Sequence, residues 1–267
     1  MRFGICASLQ VATQLPEVPF DYLEESVQRF LIPERPQEEF EAQLRAAQKL
    51  PVPVETANVF FPGDLPLIAT SQRQVDFPRL HRYVKTALQR AEQAGIRVIV
   101  FGSGTARACP PEHPRDDAVR QVSEHLATWG AWAREHGVEI VLEPLRHAET
   151  NILNTVAEGG ALIAPLAGAG ITHARLLADT YHMASNQEDP ASIQPYLPLI
   201  KHVHVAELRD RAAPGYYGED FRPYFAVLKR GNYDQRISIE CNWQDLPAQL
   251  GSALATVREQ WETSLQS

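Results

Sequence analysis

Cysteine is scarce: Cys6, Cys109 and Cys241 are the only three in 267 residues. Their odd number and wide spacing exclude a disulfide framework and a CxxC-type metal site, and reduced, structural thiols are expected instead. Also missing is any apolar run near the roughly 20 residues that span a bilayer, so no membrane segment is expected. The opening Met1-Arg2-Phe3-Gly4-Ile5-Cys6-Ala7-Ser8-Leu9 has neither the long apolar stretch nor the small-residue cleavage site of a secretory signal. It reads as a short buried strand, and a cytoplasmic protein is expected. Positive charge is in deficit, with 25 Lys and Arg against 33 Asp and Glu and a formal net charge of −8. That balance favours solubility and works against a nucleic-acid backbone as partner. No GxGxxG follows the first strand, which removes the main signature of a dinucleotide-binding sheet. Neither a linker nor a low-complexity stretch divides the chain, and residues 1–267 are expected to form one domain.

What the chain does contain is an alternation of short β-branched runs and longer helical patterns, the sequence form of a parallel sheet with crossover helices. Strands are expected at 3–8, 20–26, 53–58, 97–102, 138–143, 174–179, 201–206 and 236–241. Eight such units fit a single (β/α)8 barrel of the α/β class better than two open sheets. Helix ends are readable in several places. Pro78 suits a first turn, Leu80, Tyr83, Val84, Ala87 and Leu88 form one apolar face, and Gly95 can close the helix. Asp116 or Asp117 is the expected cap of the next helix, whose stripe of Val119, Val122, Leu126, Trp129 and Ala133 ends at Gly137. Leu246, Leu250, Leu254, Val257 and Trp261 give the last helix its buried stripe. Residues 9–19 hold two prolines and no helical period, so a loop or one short turn is expected there.

In a parallel barrel the reactive groups sit at the C-terminal strand ends. Four successive strands end in metal-capable side chains: Glu143, Asp179, His204 and Glu240. An isolated acid at a strand end is as often a helix cap or ion-pair partner as a functional group. Four in succession are harder to explain by capping, because Glu143, Asp179 and Glu240 interrupt or end apolar runs where an unpartnered charge is costly. Alternation in the last strand turns Ile237 and Ile239 toward the helices and Ser238 and Glu240 toward the barrel interior. Three carboxylates in one mouth repel one another unless a cation sits among them. With one imidazole added, the donor set is hard to borderline and suits Mn²⁺, Mg²⁺ or Co²⁺, with Zn²⁺ also compatible. His182, three residues past Asp179, falls on the following loop within reach of a substrate hydroxyl. His202 shares the parity of His204 one layer deeper and reads as a satisfied interior histidine. The aromatic run Phe60-Phe61-Pro62-Gly63 is either a lid or packing under a loop, and Gly102-Ser103-Gly104 with Arg107 is a weak candidate for anion binding.

Glu143-Pro144-Leu145, Glu149-Thr150-Asn151, Asp179-Thr180-Tyr181-His182-Met183, His202-Val203-His204 and Ser238-Ile239-Glu240 occur in this order. With these motifs the chain resembles the xylose isomerase-like barrels, and within them the ketose 3-epimerase branch. The resemblance implies one divalent metal held by Glu143, Asp179, His204 and Glu240. It also implies that the two glutamates act as acid and base, and that His182 and Glu149 contact substrate. Glu24 resembles a further strand-end acid of the same superfamily. Two departures stand out: Arg146-His147 replaces the Asn-Arg usual in the epimerases, and Arg209 and Arg211 flank the position of the substrate-contacting arginine. The function expected is therefore a metal-dependent epimerase or isomerase acting on a small sugar or sugar derivative through an enediolate. Aldose–ketose or hydroxypyruvate isomerisation, inosose dehydration, and a non-catalytic sugar-binding barrel are the alternatives. Homo-oligomerisation is left open by the sequence.

Overall fold

Eight parallel strands close into a barrel in the computed structural model, which describes residues 1–266. They are β1 (Arg2–Cys6), β2 (Tyr22–Ser26), β3 (Val54–Asn58), β4 (Val98–Phe101), β5 (Glu139–Leu142), β6 (Ala174–Asp179), β7 (Ile200–Val205) and β8 (Arg236–Ile239). Each strand pairs with its sequence neighbours, and β1 meets β8 through Phe3 opposite Ile237 and Ile5 opposite Ile239. This is a single (β/α)8 barrel. The residue patterns explain its parts. The helix Phe77–Ala94 is capped by Asp76, whose carboxylate accepts the Arg79 N–H, and stops at Gly95, held at φ 78° where a side chain would be strained. The last helix, Leu246–Thr263, buries Leu246, Leu250, Leu254 and Val257 as its stripe demands. The stretch after β1 makes one turn only, Leu9–Ala12, capped by Ser8.

One helix start differs from expectation. The helix Arg115–Glu135 begins after Pro114 with no side-chain cap, and Asp117 instead accepts hydrogen bonds from Arg120 and Gln121 within the first turns. Proline at that position already presets the entry angle, which makes an Asp cap dispensable.

Most of the apolar core lies between the strands and the helices, but the barrel interior is divided. On the β4–β6 side it is filled by Val98, Val100, Val141 and Leu177. On the opposite side it is polar: Tyr22, Glu24, Thr56, His202, His204 and Ser238 are all buried there and bonded to one another. Gly4 makes room for this half, since a Cβ on it would collide with the Tyr22 ring. The polar half runs up to the C-terminal mouth, and there the barrel carries its concentrated charge.

Candidate active site

Glu143 follows β5 and Glu240 follows β8, each one residue past the strand. The ladder nonetheless continues through them, because the Glu143 N–H donates to the Phe101 carbonyl and the Glu240 N–H to that of Val205, both at 3.1 Å. This fixes the backbone beneath each carboxylate. Asp179 ends β6 and divides its two oxygens: Oδ1 accepts the Tyr181 N–H at 2.8 Å and caps the helix Thr180–Ser185, while Oδ2 faces the mouth. His204, on β7, is fully buried. One candidate ligand atom from each of Glu143, Asp179, His204 and Glu240 lies within 4.8 Å of all the others. His204 Nδ1 is 3.1 Å from Glu143 Oε1 and 3.2 Å from Glu240 Oε2.

These four residues fit a divalent cation. Three carboxylates and one imidazole nitrogen converge, and the other nitrogen of His204 is already occupied by Glu24, 2.9 Å away. A histidine braced by a carboxylate behind it is the usual arrangement of a metal ligand. Arg211 also reaches the cluster, pairing with Glu240 Oε2 and lying 3.5 Å from Asp179 Oδ2. Without a metal, burial raises the Glu143 carboxyl above its ordinary range, the His204 hydrogen bond opposes the rise, and the Glu240 charge adds to it. Burial acts the same way on Glu240, but His204 and Arg211 outweigh it and bring that carboxyl down to about 2. Burial disfavours charge on His204, yet Glu24, Glu240 and Glu143 raise it well above the ordinary imidazole range. A bound cation would therefore have to displace a proton from this histidine.

Glu143 and Glu240 of the cluster line a cavity of about 340 Å³, together with Asn58, Phe61, Leu145, Glu149, His182 and Arg211. His182 Nδ1 accepts the Arg146 N–H at 3.3 Å, so Nε2 carries the proton and points to Asp179 Oδ2, 3.4 Å away. Glu149 accepts from Arg146 Nε at 2.7 Å, which turns the first departure from the family pattern into a brace for a residue lining the cavity. The second departure separates two arginines. Arg211 enters the cavity, whereas Arg209 stays outside it, stacked over the Tyr217 ring at 4.2 Å with its side chain 72% exposed.

Other expectations are redrawn by the structure. Arg107 holds no anion: it is fully buried and donates to the carbonyls of Phe101, Glu143 and Leu153, bracing the turn below Glu143. Phe60 and Phe61 are packing rather than lid, since both are buried in an aromatic cluster with Tyr83, Phe101 and Trp129. Asn58 was not anticipated. It ends β3 and donates to Glu240 Oε1 at 2.7 Å from across the mouth. Its only signal in the sequence was its place at a strand end. Val59 beside it takes φ 51°, an unusual conformation for a β-branched residue, at the lip of the same cavity.

Fold and donor set together define a parallel barrel with a candidate cation site at its C-terminal mouth. The chain belongs to the xylose isomerase-like TIM barrel family, whose model matches residues 13–264. It is 26% identical over 201 residues to 3-dehydro-D-guloside 4-epimerase of Escherichia coli, covering 73% of this chain and 74% of that protein. Against L-ribulose 3-epimerase of Methylomonas it is 32% identical over 183 residues, covering 67% of this chain and 59% of that protein. A solved L-ribulose 3-epimerase superposes with a TM-score of 0.78 at 21% identity, covering 99% of this chain and 96% of the other. The named relatives are epimerases, and the chain is an enzyme of the epimerase and isomerase class. No helix among the described residues is long and apolar enough to cross a membrane.

Proposed function

We propose that this enzyme is a ketose 3-epimerase, inverting the carbon beside the carbonyl of a small sugar, with Glu143 and Glu240 as the acid–base pair. The observation that carries this reading is the pair of glutamates meeting at one histidine nitrogen on the floor of a cavity large enough for a monosaccharide. A divalent cation held by Glu143, Asp179, His204 and Glu240 would supply electrophilic stabilisation for the enediolate. The protein's own groups do the rest. One glutamate removes the proton from one face of C3 and the other delivers a proton to the opposite face, their roles exchanging with the direction of reaction. His182 offers its Nε2–H, Glu149 an acceptor and Arg211 a guanidinium to the sugar oxygens. Among the described residues Arg211 is the one lysine or arginine lining the cavity and is already engaged by Glu240 and Asp179, which favours an uncharged sugar over a sugar phosphate.

A second reading has an observation of its own. The alignment with 3-dehydro-D-guloside 4-epimerase spans nearly three quarters of both chains. Epimerising C4 of a 3-keto sugar is the same chemistry one carbon along, since C4 is also adjacent to a ketone. Turnover in D2O separates the two: label at C3 of a ketose supports the proposal, label at C4 of a 3-keto sugar supports the second reading, and label confined to C1 or C2 indicates an aldose–ketose isomerase and defeats both. Metal-replete Glu143→Gln and Glu240→Gln variants add a finer check. Each is expected to lose epimerisation yet still exchange the proton of one epimer, the two variants favouring opposite epimers. Parental epimerisation by either variant removes the two-glutamate mechanism.

A further inference from the structure

The geometry points to Glu24 as the positioning residue of the metal centre, fixing which nitrogen of His204 faces the cation; this rests on the cation site proposed above. Glu24 lies on β2, inside the barrel, below the mouth and fully buried. Its Oε1 is 2.9 Å from His204 Nε2, and its Oε2 is 2.7 Å from His202 Nε2. The hydroxyls of Thr56 and Ser238 donate to Oε2 at 2.8 and 2.7 Å. A buried carboxylate so surrounded is ionised and can only accept hydrogen bonds, so both imidazoles must present N–H at Nε2. For His204 this leaves Nδ1 as the single atom whose lone pair can face Glu143 and Glu240, as a metal ligand requires. For His202 it leaves Nδ1 buried without a hydrogen-bond partner, which marks this ring as support rather than ligand.

The arrangement also restrains the ring. His204 is clamped between Glu24 below and two glutamates above, while His202 lies edge-on against it with centroids 4.8 Å apart. Rotating the imidazole or exchanging its tautomer would break the bond to Glu24 and leave Oε1 of this buried carboxylate without a donor, where that loss is expensive. The negative charge behind the ring further increases the basicity of the nitrogen in front. Glu24 does not line the cavity, and its direct contact with the four-residue cluster is through His204.

The test uses full-length protein, Mn²⁺ and two variants. In Glu24→Gln, the amide oxygen can still accept from His204, and the amide NH2 is satisfied if His202 moves its proton to Nδ1. The shape survives and the charge is lost. Glu24→Leu removes both. Competition with a chelator is expected to show Mn²⁺ binding weakened about tenfold in Glu24→Gln and about 100-fold in Glu24→Leu, the range typical of a carboxylate behind a ligating histidine. Imidazole ¹⁵N spectra of the Zn²⁺-loaded protein give the signature a purely structural role would lack: His204 protonated at Nε2 and bound through Nδ1. If Glu24→Leu fails to fold, the Gln variant and the spectra decide. Mn²⁺ affinity in Glu24→Gln within twofold of the parent, or a His204 bound through Nε2, would overturn the inference. Failure of the cation site itself would look different, since the unaltered protein would then bind no Mn²⁺ at all.

Discussion

Gly102 shows how little room a residue at this mouth has. It follows β4 directly, and a Cβ there would collide with Glu143 Oε2. Gly102→Ala should therefore displace the carboxylate rather than the backbone, because Glu143 is the movable partner. The expected outcome is a fall in kcat/KM of at least about tenfold, a misplacement effect of the kind a shift near 1 Å produces. The urea midpoint should move little, since the alanine adds no buried polar group. Unchanged kcat/KM in this variant would show that the Glu143 position is not critical. Residue by residue, the sequence exposed the four converging side chains because each lies at or within one residue of a strand's C-terminal end. It did not expose what braces them. Asn58 meets Glu240 across 182 residues of chain and Glu24 meets His204 across 180, contacts that exist only once the barrel closes. Arg107 looked like an anion ligand because a Gly-Ser-Gly turn precedes it, whereas in its buried place it donates to the carbonyls of Phe101, Glu143 and Leu153.

At the level of elements, strand positions were legible because apolar runs and their punctuation survive in the sequence, with ends shifted by at most two residues. Loops were not, and the loop after β7 is the clearest case. Glu207 is fully buried at its root, and its carboxylate accepts the backbone N–H groups of Gly215, Tyr217, Gly218 and Glu219. Four donors converging on one carboxylate fold the loop over itself. Arg211 leaves from the same loop, at φ 50° after Asp210 at φ 60°, and its carbonyl accepts the Asn242 N–H at 2.7 Å. No local pattern announces this, since the bonded partners are backbone groups. Glu207→Ala would leave those N–H groups without their acceptor, at a cost of about 2 kcal/mol or more. Equilibrium urea unfolding should record that loss. KM should also rise several-fold, because Arg211 loses its fixed approach to the cavity. A variant that is destabilised but keeps the parental KM would mean that the β8 contacts alone position Arg211.

Taken whole, the molecule crowds three carboxylates together where four strand ends meet, and a bound cation is expected to add to its stability. Glu143, Asp179 and Glu240 approach from β5, β6 and β8, and His204 and Arg211 pair with them at close range. A divalent ion would tie these strands together at the mouth. At a free concentration 100 times its dissociation constant it would add about 2.7 kcal/mol of stability, seen as a rise in melting temperature. Asp179 allows that contribution to be separated from the fold. Its Oδ1 caps the helix Thr180–Ser185, a task that asparagine performs equally well, while Oδ2 faces the cluster and the Arg211 guanidinium. Asp179→Asn should therefore keep the cap and remove one negative charge from the crowd. The metal-free melting temperature is expected to stay within a few degrees of the parent, the lost Arg211 contact being offset by reduced repulsion from Glu143 and Glu240. The rise on adding Mn²⁺ should largely disappear, and metal retained after gel filtration should fall with it. Should the variant keep the full Mn²⁺-induced rise, Asp179 would be a helix cap only, and the cation would be held by the other three residues.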